Sequence, residues 1–141
     1  MYFDTSYIAK FYLQEPDSER VRELVHGADI IYSSMWAIAE FHSVLHRWVR
    51  ERVISAESAR ALASRFAAHT EEGLWNLVPT SEALLRRTGA RIISAPPDIF
   101  LRTADAVHLM TADEIGHRDV WTNDRHMLAA APYFGLNGRS V

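Results

Sequence analysis

The run Arg102-Thr103-Ala104-Asp105-Ala106-Val107-His108-Leu109-Met110-Thr111-Ala112 constrains the fold more than any other stretch of the chain. It reads as a helix that is apolar on nearly every side, and such a helix belongs in the interior. Asp105 stands inside it, and an ionised carboxylate in those surroundings is costly unless a cation or a metal pairs with it. Asp105 therefore needs a partner: a nearby arginine, the free amides of its own helix start, or a bound ion.

The rest of the chain supplies strands and helices in alternation. Met1-Tyr2-Phe3 reads as a strand ending at Asp4-Thr5-Ser6, and Tyr7 to Gln14 has helical spacing. A second amphipathic helix opens at Pro16-Asp17-Ser18 and stops at Gly27, followed by a short strand, Ile30-Ile31-Tyr32. Ser34 is the expected N-cap of a long helix, Met35 to about Arg52, with its apolar stripe through Ile38, Phe41, Leu45 and Trp48. Ser55 begins the next helix, Ala56 to about Glu72, and Leu74 to Val78 reads as a strand closed by Pro79. A short helix, Glu82 to Arg87, and a turn at Ala95-Pro96-Pro97-Asp98 lead into the central helix, which ends at Gly116. Asp119 to Thr122 forms a strand delivering Asn123-Asp124, a helix follows from Arg125 to Pro132, and Tyr133 to Val141 is only weakly strand-like. No repeat, linker or low-complexity block interrupts this order, so one domain spanning residues 1–141 is expected. Alternating strands and helices favour an α/β architecture, a parallel sheet covered on both faces. Sites in such folds gather at the C-terminal ends of the strands.

Composition removes several chemistries. The chain has no cysteine, which excludes disulfides, thiolate zinc sites and cysteine nucleophiles. No apolar run reaches membrane-spanning length and no basic-then-apolar leader pattern is present, so no membrane association and a cytoplasmic location are expected. The net charge of −3 gives no general basic field for nucleic acid. Lys10 is the only lysine, however, and the remaining positive charge is arginine, the better fork for phosphate oxygens.

Most carboxylates lie among polar neighbours and read as solvated surface. Four do not: Asp4 at a strand end, Glu40 within Met35-Trp36-Ala37-Ile38-Ala39-Glu40-Phe41, Asp105, and Asp124 just past Val120-Trp121-Thr122. Each has an ordinary explanation, since Asp4 and Asp124 suit helix caps and Glu40 suits the wet edge of its stripe. If two come from strand ends and two from flanking helices, they converge on one acidic pocket that repels itself unless protons or a cation neutralise it. Oxygen-only ligands favour Mg²⁺ or Mn²⁺ over zinc. Such an ion would bridge the acids to a phosphate, activate water and stabilise charge during in-line attack, while arginines grip the flanking backbone.

Phe3-Asp4-Thr5-Ser6, Ala39-Glu40-Phe41, Asp105-Ala106-Val107-His108-Leu109 and Thr122-Asn123-Asp124-Arg125, in that order across essentially the whole chain, resemble the PIN-domain endoribonucleases. The resemblance is specifically to the VapC-type toxins of bacterial type II toxin–antitoxin pairs. It implies a PIN-like three-layer fold whose parallel sheet of about five strands has the order 3-2-1-4-5. It further implies a Mg²⁺- or Mn²⁺-dependent hydrolase cutting RNA phosphodiester bonds, with Asp4, Glu40, Asp105 and Asp124 around the metal. Asp4 and Asp105 are the expected direct ligands, Glu40 and Asp124 act directly or through water, and Ser6 and Asn123 are accessory candidates. A cognate antitoxin in the active-site groove, a toxin homodimer and a larger toxin–antitoxin assembly are the partners the resemblance carries.

Other residues receive plainer readings. His42 and His46 have the spacing of a zinc pair, but Ser43 stands where a metalloprotease needs glutamate, so a surface or structural role is expected. His108, one turn after Asp105, is read as packed, and Trp36, Trp48, Trp75 and Trp121 as core rather than base-stacking platforms. A haloacid-dehalogenase-like phosphohydrolase needs a second aspartate two residues after the first, where this chain has Ser6. A flavodoxin-like regulatory domain leaves the acids on two separate helices unexplained. The remaining alternative is a catalytically silent PIN-type module that binds RNA or a protein partner.

Overall fold

Tyr2 and Phe3 form β1, the central strand of the computed structural model, which describes all 141 residues. Their side chains point to opposite faces, as strand geometry requires. Tyr2 joins one apolar cluster with Leu84, Val107, Leu109, Val120 and Phe134, while Phe3 joins another with Ile8, Val21, Phe41, Phe66 and Trp75. Two cores on the two faces of one sheet make a three-layer α/β fold.

The sheet has five strands, all parallel, in the order β3-β2-β1-β4-β5. They are β1 (Tyr2–Phe3), β2 (Tyr32–Ser34), β3 (Asn76–Val78), β4 (Asp119–Trp121) and β5 (Asn137–Arg139). The helices are α1 (Thr5–Tyr12), α2 (Ser18–His26), α3 (Ala37–Arg50), α4 (Ala56–Glu71), α5 (Glu82–Ile93), α6 (Thr103–Glu114) and α7 (Arg125–Ala130). This is the order and architecture expected from the sequence. Helices α1 to α4 supply the Phe3 side, while α5, α6 and α7 supply the Tyr2 side. Strand order reverses between β1 and β4, which places a switch point, the usual ligand crevice of such sheets, beside the C-terminal ends of those two strands.

Local departures from the expected boundaries have physical reasons. Ser34 does not cap α3; it ends β2, and its hydroxyl accepts from the amide of Trp36 before the helix begins at Ala37. The buried face of α3 runs through Ala37, Phe41, Leu45 and Trp48, a 4-4-3 spacing that leaves Ile38 about 100° round the helix. Ile38 and Trp36 are accordingly exposed, not core. Trp48 and Trp75 are buried as expected, and Trp121 is half-buried. Helix α5 runs past Arg87 to Ile93 because buried Thr88 satisfies its own hydroxyl on the Leu84 carbonyl and the helix packs along α6. The weakly strand-like C-terminal segment is the paired edge strand β5. Its glycine is required by packing: a Cβ on Gly138 would lie 3.0 Å from Leu128 Cα and 3.2 Å from its carbonyl oxygen.

The central helix behaves as its composition demands. Every residue of α6 from Asp105 to Ala112 is buried, including Asp105, His108 and Thr111. Thr111 bonds its hydroxyl to the Val107 carbonyl at 2.6 Å, which leaves Asp105 and His108 as the two interior polar groups that need partners from elsewhere.

Candidate active site

Asp4 follows β1 directly and is the N-cap of α1, its carboxylate accepting from the amide of Tyr7 at 3.0 Å. Its other donors are hydroxyls: Ser6 at 2.7 Å on Oδ1 and Thr122 at 2.6 Å on Oδ2. The residue is 6% exposed. Burial raises its pKa above the usual aspartate value, and this outweighs the nearby His108 and the three donors, which all act the other way.

Asp124 plays the matching part at the end of β4. Its Oδ1 caps α7 by accepting from the amides of His126 (2.8 Å) and Met127 (3.3 Å). Thr122 ties the two strand ends together, because the hydroxyl that donates to Asp4 also accepts from the Asp124 amide at 2.9 Å. Asp105 enters from the first turn of α6, and its partner is an arginine three residues before it. Arg102 Nε donates to Asp105 Oδ2 at 2.8 Å and one terminal nitrogen donates to Oδ1 at 3.0 Å. The same terminal nitrogen also donates to Asp124 Oδ2, so one guanidinium bridges both aspartates. Although partial burial works against ionisation of Asp124, Arg102 and the cap amides outweigh it and hold the carboxyl below its ordinary range. Both carboxylates in turn push the Arg102 pKa still higher.

Glu40, on the first turn of α3, completes the set from the opposite layer. Its Oε2 accepts from Thr5 Oγ1 at 2.5 Å and from His108 Nε2 at 2.8 Å, leaving Oε1 free of protein donors. With Nε2 carrying the proton, His108 Nδ1 accepts from the buried Tyr2 hydroxyl at 3.0 Å, which fixes the ring at both ends. Burial alone would raise the Glu40 pKa, but the His108 contact, the Thr5 hydroxyl and the charge of Arg102 hold it below the usual glutamate value.

All four acids line one cavity of about 240 Å³, together with Thr5, Ser6, Lys10, Arg47, Arg102 and His108. Ser6 serves as a hydroxyl donor to Asp4. Asn123 does not line the cavity; its side-chain oxygen accepts from Ser140 at 2.8 Å, so Asp124 is the residue of that pair facing the acids. His42 and His46 are exposed on α3 and outside the cavity. No three Asp, Glu or His side chains stand together as a ready-made ion cage. The donor chemistry still suits a hard divalent cation: four carboxylates at one cavity, with a guanidinium already serving as the cation between two of them.

Sequence reasoning did not single out Arg102, Thr5, Thr122 or Arg47. Arg102 had a signal, since a buried carboxylate three residues on required a cation, and i,i+3 places the two side chains together. The threonines carry no comparable signature, because their contacts join residues 35 and 118 positions apart in the chain.

The sequence profile of the PIN domain matches residues 1–132. The chain belongs to the PIN domain family. Within it the resemblance is to the VapC group: the chain is 29% identical to ribonuclease VapC46 of Mycobacterium tuberculosis (strain ATCC 25618 / H37Rv) over 141 residues, covering 96% of this PIN domain protein and 93% of that one. Two solved structures share its fold. Mycobacterium tuberculosis VapC20, a sarcin-ricin loop cleaving toxin, superposes with a TM-score of 0.74 at 14% identity, covering 92% of this chain and 93% of that one. FitAB bound to the IR36 DNA fragment gives a TM-score of 0.69 at 16% identity, covering 99% and 93%. This PIN domain protein is thus similar to the VapC-type ribonucleases along nearly its whole length.

Proposed function

We propose that this chain is a Mg²⁺- or Mn²⁺-dependent endoribonuclease and the toxin of a type II toxin–antitoxin pair. The observation that carries the reading is the convergence of Asp4, Glu40, Asp105 and Asp124, from two strand ends and two helices, on one cavity at the switch point of a PIN fold. Asp4 and Asp105 are the direct ligands in this reading, and Glu40 and Asp124 bind directly or through water. A bound divalent cation supplies a Lewis acid and a water of lowered pKa. The chain's own residues do the remaining work. Thr122, Ser6 and the Tyr7 amide hold Asp4 in place, and His108 and Thr5 hold Glu40 with Oε1 left free to take a proton. Arg47, exposed at the cavity, offers its guanidinium to a flanking RNA phosphate. The same reading carries a cognate antitoxin over the groove, a toxin homodimer that can enter a larger assembly, and a cytoplasmic location. No helix is long and apolar enough to cross a membrane.

One observation favours a second reading, a catalytically silent module: Arg102 already serves as the cation for Asp105 and Asp124, and no three acidic or histidine side chains stand together as an ion cage. Antitoxin-free protein incubated with total cellular RNA and Mg²⁺ or Mn²⁺ separates the two. Discrete new RNA ends, lost with EDTA and in Asp105→Asn, are the expected result. Persistence of the same cuts in both controls refutes the metal-dependent nuclease, and RNA binding without cuts establishes the silent module.

A further inference from the structure

We propose that Arg102 is a displaceable counter-cation, which competes with a divalent ion for Asp105 and Asp124 and, once displaced, becomes the cation that meets the RNA phosphate. The inference rests on the metal-dependent reading above and adds to it a residue that the four acids do not include.

The compensation of the four acids is uneven. Asp4 and Glu40 are met by amides, hydroxyls and an imidazole whose other nitrogen is held by the Tyr2 hydroxyl. Asp105 and Asp124 are met by a full positive charge. The guanidinium fork occupies both oxygens of Asp105, at 2.8 and 3.0 Å, and the oxygen of Asp124 that the α7 cap leaves over. A divalent ion approaching those carboxylates meets a cation already seated there, and the two cannot share the position without strong repulsion.

Arg102 is also placed to leave. It lies in extended backbone just before α6, at the N-cap position, so its departure requires no unwinding. Its side chain is 50% exposed, whereas Asp105 beneath it is only 9% exposed. The carboxylate is thus fixed and buried while its cation reaches in from solvent. An arginine released at the mouth of the cavity, with five donors in a planar fork, has the geometry that phosphate oxygens accept. The opposite arrangement, in which Arg102 permanently positions Asp105 and Asp124 for the ion, predicts the reverse sign on metal affinity.

That sign is measurable without RNA. Mn²⁺ titrated into the RNA-free protein by calorimetry, at fixed pH and ionic strength, is compared across wild type, Arg102→Gln, Arg102→Lys and Asp105→Asn, with melting curves showing that each is folded. Arg102→Gln is expected to bind Mn²⁺ about tenfold more tightly, equivalent to about 1.4 kcal/mol, the scale of one half-exposed charge at contact distance. Arg102→Lys, which keeps the charge but cannot fork across two carboxylates, is expected between the two. RNA cleavage by Arg102→Gln at saturating Mn²⁺ is expected to fall, chiefly through a raised KM. Unchanged or weaker Mn²⁺ binding in Arg102→Gln overturns the competition, and full cleavage at saturating Mn²⁺ overturns the phosphate role. Mn²⁺ binding unaltered in Asp105→Asn overturns the metal site itself, a failure distinct from either.

Discussion

Thr122→Val tests the joint between the two strand-end acids. Valine keeps the shape of threonine but removes the hydroxyl, which is fully buried and makes two contacts: a 2.6 Å donation to the Asp4 carboxylate and a 2.9 Å acceptance from the Asp124 amide. A hydrogen bond to a charged group is worth about 1.5–3 kcal/mol net, and a buried amide left without an acceptor costs about 1–3 kcal/mol. The combined loss should be about 3 kcal/mol, a drop of roughly 10 °C in melting temperature for a domain of this size. Thr122→Ser retains the hydroxyl and should lose only about 1 kcal/mol with the methyl group. The assay is urea unfolding of the RNA-free protein at neutral pH, followed by tryptophan fluorescence. In an Asp4→Asn background the penalty of Thr122→Val should shrink, because the bond is then no longer charge-assisted. If Thr122→Val lies within about 0.5 kcal/mol of wild type, or Thr122→Ser is equally damaged, the hydroxyl does not hold these acids and the reasoning fails.

Three further outcomes follow from the same contacts. His108→Phe should cost about 2–3 kcal/mol by removing the partner of the buried Tyr2 hydroxyl and leaving Glu40 Oε2 only the Thr5 hydroxyl, and should lower RNA cleavage while leaving Mn²⁺ binding at Asp105 measurable by calorimetry. Asp4 and Glu40 should show opposite pH signs in urea midpoints of the metal-free protein. The Asp4 pKa is raised on folding, so its ionisation penalty is absent below the ordinary value of 3.8 and accrues as pH rises through the folded value; Asp4→Asn should be more stable than wild type at pH 7 and lose that advantage in acid. The Glu40 pKa is lowered, so its contribution is present above the ordinary value of 4.5 and lost as pH falls through the folded value; Glu40→Gln should cost stability at pH 7 and approach wild type in acid. His42→Ala combined with His46→Ala should leave Mn²⁺ affinity and cleavage unchanged, since both rings lie on the exposed face of α3, and a loss of either would mean that the face belongs to the site.

What the sequence disclosed and what it hid follow the range of the interactions concerned. The α/β class was legible because apolar runs and their punctuation are local, the strand order only through the family resemblance, and the burial of α6 because no face of it is polar enough for water. The four acids were legible because a carboxylate beside Phe3, Phe41, Val107 or Trp121 is out of place in a short window. Strand β5 was faint because Gly138 answers to Leu128 rather than to strand propensity, and Trp36 was misread because residues just before a helix do not follow its stripe. The contacts that orient the acids were hidden for the opposite reason to the acids themselves: Thr5, Thr122 and Tyr2 are unremarkable in their own neighbourhoods, and only folding brings them to Glu40, Asp4 and His108.

The same contacts explain how so acidic a cavity is compatible with a stable fold. Four carboxylates around one cavity would ordinarily destabilise the metal-free protein. Here each acid also satisfies a structural demand: Asp4 and Asp124 cap helices, Glu40 pairs with His108, and Asp105 pairs with Arg102. The ordinary explanations for Asp4, Asp105 and Asp124 are therefore correct as structure, while Glu40, read as lying at the wet edge of its stripe, is instead held by His108 and Thr5 at the cavity; these contacts are what allows the acids to be assembled at all. On the metal-dependent reading proposed above, a cation entering such a site would displace internal donors rather than fill a void, so its affinity would be set as much by the strength of those contacts as by the number of carboxylates.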